Sequence, residues 1–212
     1  MPITIYGPDY STYVRSARLV CEEKGAPYEL VMVDLLKGET TSPEHLARNP
    51  FGKVPALDHD GFALYETGAV ERYLDRVLPG PRLTPEDPRL AARMDQIIGI
   101  VDAHGYPGMI TKLFMQRVVA PMTGGKADEE VVGGAMPAIR TSLEELDRLI
   151  GGQPFAAGPA LSLADLHLVP VFAYLLATPE SGDLLASRAN LNRWWQAMSA
   201  RESVRRTEPR LG

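Results

Sequence analysis

Runs of apolar residues change their period partway along the chain. Ile3-Thr4-Ile5-Tyr6 is a short β-rich run closed by Gly7-Pro8, and Val14, Ala17 and Cys21 then share one helical face until Gly25. Tyr28 to Leu35 (YELVMVDL) is β-branched and apolar and predicts a second strand, parallel to the first across the helix. Ala56-Leu57 and Phe62-Ala63-Leu64-Tyr65 flank Asp60-Gly61, a dipeptide that favours a hairpin turn. Val70, Tyr73, Leu74 and Val77 follow at helical spacing.

The order βαβ then ββα is that of a thioredoxin-like α/β domain with a mixed four-stranded sheet, which residues 1–78 complete. Residues 79–88 read as a linker, because the four prolines of LPGPRLTPEDP suit neither a helix nor a central strand. Over 89–212 the strand signal disappears. Met94, Ile97, Ile98 and Val101 mark one amphipathic helix and Ile139, Leu143, Leu146 and Ile150 another, so this part is expected to be all-helical. Gly124-Gly125 and Gly133-Gly134 are expected to interrupt or bound helices there. Ser162-Leu163-Ala164-Asp165 has the pattern of a capping box, and Pro170 is expected to kink the helix it opens.

Composition narrows the classes of function. The chain has 212 residues, 45% hydrophobic and 23% charged, which suffices for buried cores, and a net charge of -5 disfavours nucleic acid or an anionic membrane as partner. The N-terminus lacks the charged and apolar regions of a signal peptide, and no stretch approaches the roughly 18 apolar residues of a membrane span. A soluble, cytoplasmic protein is expected. Cys21 is the only cysteine and fits a reducing compartment; its place on the apolar helix face favours a buried structural thiol. His45, His59, His104 and His167 have no metal-site spacing, so no metal is expected, and no glycine-rich nucleotide loop is present.

Val54-Pro55 is the most informative dipeptide. A proline there belongs at the first residue of a strand or on an edge, and such a bond can be cis. That geometry would turn the Val54 N–H and C=O outward, open to an extended peptide.

Several motifs occur together and in order: YGxxxST at Tyr6–Thr12, SPEHLxRNPFGxVPAL at Ser42–Leu57, YET at Tyr65–Thr67, then PMxGG, SLADL and ATP in the helical half. On these the chain resembles a cytosolic glutathione S-transferase, and it is most similar to the phi class. The resemblance implies a homodimeric enzyme with glutathione as co-substrate, no prosthetic group, and an apolar electrophile bound between the two domains. It maps the activating serine onto Ser11, with Thr12 as a neighbouring hydroxyl. A hydroxyl at a helix N-terminus stabilises a thiolate, whose free thiol has a pKa of about 8.5.

The resemblance assigns Glu66 and Thr67 to the γ-glutamyl end of glutathione and Val54-Pro55 to its backbone. Lys53 stands where the phi class usually has glutamine and offers a charge to a glutathione carboxylate. The family's His-Lys pair for the glycine carboxylate falls on the uncharged Thr40 and Thr41, and its arginine five residues beyond the serine falls on Ser16. Arg15 and Arg18 are alternative sources of positive potential. Tyr10, Leu35, Val119 and Met122 are transferred to the apolar pocket, and Phe51 to the aromatic key of dimerisation.

Taken alone, Ser11-Thr12 is an ordinary helix cap and Glu66-Thr67 a strand end and cap. The leading expectation is conjugation of the glutathione thiolate to apolar electrophiles in detoxification, or its reaction with a peroxide. The alternatives are a non-catalytic carrier of glutathione or apolar ligands, and a structural assembly module.

Overall fold

A computed structural model describes residues 2–35 and 37–209. Four strands, β1 (Ile3–Tyr6), β2 (Glu29–Val31), β3 (Ala56–His59) and β4 (Phe62–Tyr65), form one sheet in the order β2-β1-β3-β4. β1 is parallel to β2 and antiparallel to β3, which is antiparallel to β4. This is the mixed thioredoxin-like sheet expected. Asp60 and Gly61 both take positive φ, 55° and 82°, the pair of left-handed residues that a tight hairpin turn requires.

The second strand is shorter than its apolar run. Pairing stops at Val31, and beyond it the backbone is held by turn bonds: the Asp34 N–H donates to the Glu39 carboxylate at 2.7 Å and the Lys37 N–H to the Asp34 carboxylate at 3.1 Å. Such local side-chain acceptors draw N–H groups away from a ladder. A single turn of tighter helix follows at Glu39–Thr41.

Helix α1 (Thr12–Lys24) connects β1 to β2, α2 (Pro43–Arg48) precedes β3, and α3 (Thr67–Val77) follows β4. α1 buries Val14, Ala17, Val20 and Cys21 and ends at Gly25, in left-handed conformation at φ 64°. Its last residue, Lys24, pairs with Asp75 of α3 at 2.7 Å with both side chains 2% exposed. The Asp75 carboxylate also accepts from the N–H groups of Leu83 and Thr84 and the Thr84 hydroxyl, so the chain leaving α3 is strapped to the same charge pair.

The remaining regular elements among the described residues are helices, with α4 (Pro88–Ile100) continuing as a wider π-helical spiral over Val101–Gly105 and Pro107–Val119, then α5 (Ala120–Met122). The widening was not expected from the apolar spacing. Pro107 has no N–H to carry an ordinary helical ladder, and around it bonds reach five residues back, from the Tyr106 N–H to Val101 and from the Ala120 N–H to Met115. α6 (Glu129–Ile150) runs straight through Gly133-Gly134 and Pro137, so those glycines do not bound a helix, and α7 (Leu163–Leu176) continues through Pro170. α8 (Ser181–Leu185), α9 (Ala189–Ser199) and α10 (Glu202–Arg206) complete the chain.

Asp165 organises the core of the helical part. It is fully buried and accepts from the Ala156 N–H at 2.7 Å, the Ser162 N–H and hydroxyl at 2.9 Å, and Trp194 Nε1 at 2.8 Å. Burial pushes its pKa up, and these donors act against that push.

Contacts divide the chain into two compact units, Met1–Thr84 with Ala200–Gly212, and Pro85–Ser199. The C-terminal stretch therefore groups with the sheet, where the sequence division by linker assigned it to the helical part. Arg15, Arg18 and Glu23 of α1 hydrogen-bond to residues 201–207 and supply the reason.

The Lys24–Asp75 pair predicts an acid sensitivity. Burial alone would raise the Asp75 pKa, but Lys24, the Leu83 N–H and Thr84 outweigh it and hold the carboxyl below its ordinary 3.8. A folded value below the unfolded one contributes stability that is complete above the unfolded pKa and is lost as pH falls through the folded pKa. Urea unfolding from about pH 7 to about pH 3 should show this loss in the wild type and less of it in Asp75→Asn. At neutral pH that variant should be destabilised by about 3–5 kcal/mol, because Lys24 keeps a buried charge without its partner.

Candidate active site

Strand direction brings the candidate residues together. β1 and β4 are each antiparallel to β3 and so run the same way, and β2 is parallel to β1. Tyr6, Ala56, Tyr65 and Val31 form one row across the sheet. The segment after Tyr6 (Tyr10 to Thr12), the segment after Val31 (Leu35 to Thr41), the segment before Ala56 (Lys53 to Pro55) and the one after Tyr65 (Glu66-Thr67) therefore all leave the same end.

Gly7 lets these segments close up. A Cβ on it would lie 2.4 Å from Val14 Cγ2 and 3.1 Å from Val54 Cβ, and its φ of 147° suits glycine. The first turn of α1 and the Val54-Pro55 loop are therefore neighbours across a site that only glycine fits. The Val54-Pro55 bond is cis. Among the described residues neither the N–H nor the C=O of Val54 has a hydrogen-bond partner.

The loop is fixed one residue earlier. The Lys53 carbonyl accepts from His45 Nε2 and Asn49 Nδ2, both at 2.9 Å, and both side chains are 2% exposed. Neither residue was a site candidate in the sequence; Asn49 belongs to the RNPFG motif, and its interior role is legible only once the loop is folded. Thr40 and Thr41 sit on the single helical turn, and a Cβ on Gly52 would lie 3.1 Å from the Thr40 carbonyl, so that turn packs beside Lys53. Thr41 donates its hydroxyl to the Gly38 carbonyl at 2.8 Å. The Lys53 side chain is exposed and, among the described residues, has no ion partner.

Ser11 is the N-cap of α1. Its Oγ accepts from the Val14 N–H at 3.4 Å, and among the described residues nothing takes its hydroxyl hydrogen. The cap uses the acceptor side of a half-exposed hydroxyl and leaves the donor side open. Thr12, at the first helical position, is 4% exposed. Glu66 caps α3 at φ 71°, a left-handed value that a glutamate rarely adopts, with its side chain exposed and Thr67 half-buried behind it. The chain turns there without a glycine, so no sequence signal announced it.

The pocket candidates are described within their own units. In the first, the Tyr10 hydroxyl meets the backbone of Leu35, which is 38% exposed; burial and then the negative charge of Asp34 push the Tyr10 pKa up. In the second, Val119 is half-buried and Met122 is 63% exposed. A 540 Å³ cleft in the helical unit, between residues 100–112 and 134–145, involves neither. Phe51 is 66% exposed, with its ring edge-on to Tyr65 at 5.9 Å.

Arg15 and Arg18 do not face the site as sources of charge. Arg15 Nη2 donates to the Val204 carbonyl at 2.9 Å and Arg18 Nη1 to the Thr207 carbonyl at 3.4 Å, while Ser16 is fully buried and its hydroxyl has no partner among the described residues. Among the described residues there is no metal-ligand cluster and no helix long and apolar enough to cross a membrane.

A thioredoxin-like sheet whose first helix is capped by a half-exposed hydroxyl beside a cis-proline loop, followed by an all-helical unit, defines the class by its fold. The model for the N-terminal domain of glutathione S-transferases matches residues 1–76 and that for their C-terminal domain residues 109–202. The chain is 33% identical to glutathione S-transferase 1 of Zea mays over 97% of its own length and 95% of that protein, and 32% identical to glutathione S-transferase F13 of Arabidopsis thaliana over 100% and 97%. Glutathione S-transferase I from mais, solved with an atrazine glutathione conjugate, superposes with a TM-score of 0.85 at 33% identity, over 98% of this chain and 96% of that one. The chain belongs to the glutathione S-transferase family and, within it, sides with the phi class.

Cys21 is separate from this chemistry. It is fully buried, and burial, reinforced by Glu22, pushes its thiol up to about 12. The native protein should leave iodoacetamide unreacted at neutral pH and take up one equivalent only when unfolded; labelling at the rate of a free thiol in the native state would refute the buried assignment.

Proposed function

We propose that this protein is a glutathione transferase that joins the glutathione sulfur to apolar electrophiles. The observation that carries the reading is the Ser11 hydroxyl, half-exposed with its hydrogen uncommitted, at the sheet end from which the Val54-Pro55 loop and Glu66 also issue. The extended tripeptide pairs its backbone with the open N–H and C=O of Val54, in the manner of an added strand. Glu66 takes the γ-glutamyl ammonium and Thr67, at the start of α3, its carboxylate. Lys53 takes the carboxylate at the far end, beside the neutral Thr40 and Thr41.

The thiol releases its proton to solvent, and Ser11 donates to the sulfur anion with the positive end of α1 behind it. The sulfur then forms a bond to the electrophilic carbon, and the leaving group departs with its electron pair. Exposure favours Ser11 over the buried Thr12 as donor. Tyr10 and Leu35 give the sheet unit an apolar surface for the electrophile, and Val119 and Met122 give one to the helical unit. Phe51, a large exposed aromatic, is the key by which two copies associate in a homodimer. The cytoplasm, where free thiols stay reduced, is the compartment that suits this chemistry.

Ser11→Ala should still be retained on immobilised glutathione but lose conjugation of a chloronitrobenzene by about tenfold or more, because the lost donor serves the anion and not the bound peptide. Full activity in that variant would transfer the role to Thr12. Failure of the wild type to bind glutathione would overturn the reading. Sedimentation of Phe51→Ala should show a dimer weakened by at least about tenfold; an unchanged tight dimer would remove the key role.

A further inference from the structure

The outer stripe of α1 meets Arg201 to Thr207 through polar contacts, buried at Arg15 and Arg18 and partly exposed at Glu22 and Glu23. Arg15 is 5% exposed and Arg18 8%. Arg15 donates through Nη2 to the Val204 carbonyl at 2.9 Å and through Nε to the Thr207 hydroxyl at 3.4 Å. Arg18 reaches the Thr207 carbonyl at 3.4 Å and the Tyr28 hydroxyl at 3.1 Å. Glu23 accepts from Arg201 at 2.7 and 2.8 Å and from the Ser203 hydroxyl, and Glu22 pairs with Arg206 at 3.6 Å.

A surface that only needed hiding is served as well by apolar side chains, since a buried charge is a poor source of stability. What buried guanidinium forks add is a fixed geometry. Arg15 lies one turn below Ser11, and its own N–H donates to the Ser11 carbonyl at 2.9 Å. The cap bond from the Val14 N–H is long at 3.4 Å and holds the Ser11 side chain weakly. The first turn of α1 is therefore steadied from below, chiefly by the 2.9 Å bond from Arg15 to the Val204 carbonyl, with the longer one to the Thr207 hydroxyl beside it.

We infer that Arg15 is a positioning residue for the Ser11 hydroxyl, anchored by the Val204 carbonyl and the Thr207 hydroxyl, so that the C-terminal stretch sets how well the bound sulfur is met. This rests on the assignment of Ser11 as the donor to sulfur. Arg15 acts through the turn and touches no substrate.

The test titrates the thiolate absorbance of glutathione bound to the wild type, Arg15→Met, Arg15→Lys and Thr207→Val. Thr207→Val keeps the Arg15 charge and removes the hydroxyl that Arg15 reaches, together with the bonds that hydroxyl gives to the Ser203 and Val204 carbonyls; it separates positioning from electrostatics and serves if Arg15→Met fails to fold. Thr207→Val should raise the pKa of the bound thiol by about half a unit and lower conjugation below that pKa about threefold, with affinity for glutathione unchanged within about twofold. Arg15→Met should do more, and Arg15→Lys should recover part of the loss. Equal thiol titrations in the wild type and Thr207→Val, with stability alone reduced, overturn the proposal and leave the role of Ser11 intact. A wild type that leaves the thiol at its solution value overturns the Ser11 assignment and this inference with it.

Discussion

The close approach at Gly7 governs what this sheet can do. β1 ends, α1 begins and the cis-proline loop passes within van der Waals distance of one another, and a single Cβ would drive them apart. Without that contact the Ser11 hydroxyl and the open backbone of Val54 would belong to separate surfaces. With it, a hydroxyl with its hydrogen uncommitted and an unpaired stretch of backbone share one end of the sheet. The remaining site residues follow from strand direction: once β1, β2 and β4 run alike, the chain leaves each of them at the same edge.

α1 is held at two places for different reasons. At its base the Lys24–Asp75 pair joins it to α3 and to the chain leaving the sheet, with both charges out of water and satisfied by further hydrogen bonds. Along its outer stripe, charged groups reach residues that follow the whole helical unit in sequence. The helix that presents the hydroxyl is thus completed only when the last part of the chain is in place. The Asp165 cluster has the matching role in the helical unit, where one carboxylate gathers the start of α7, the preceding loop and Trp194 of α9.

Much of this was legible in the residues. β-rich runs and the Asp60-Gly61 turn located all four strands, 3.6-residue spacing located the core faces of α1, α4 and α6 and, through Val70 and Leu74, part of that of α3, where Val77 is exposed, and the Ser162 to Asp165 pattern located the cap of α7. The glutathione S-transferase family was legible from ordered motifs and not from any one of them. What escaped was non-local or against local preference. β2 is cut short by side-chain acceptors at Asp34 and Glu39, the spiral after Ile100 widens around Pro107, and Glu66 takes a left-handed backbone without a glycine. His45 and Asn49, which brace the site loop, look like solvated loop residues until α2 folds over Lys53. Arg15 and Arg18 carried the right charge but the wrong destination, because their acceptors lie 189 positions further along the chain.

Cys21 gives the molecule a property that suits its trade. A protein steeped in a low-molecular-weight thiol and its oxidised dimer is open to capture as a mixed disulfide wherever a sulfhydryl of its own reaches solvent. Here the sole candidate sits inside the first helix's inner face, uncharged and out of reach. An oxidised small thiol therefore meets no accessible sulfhydryl on the folded chain.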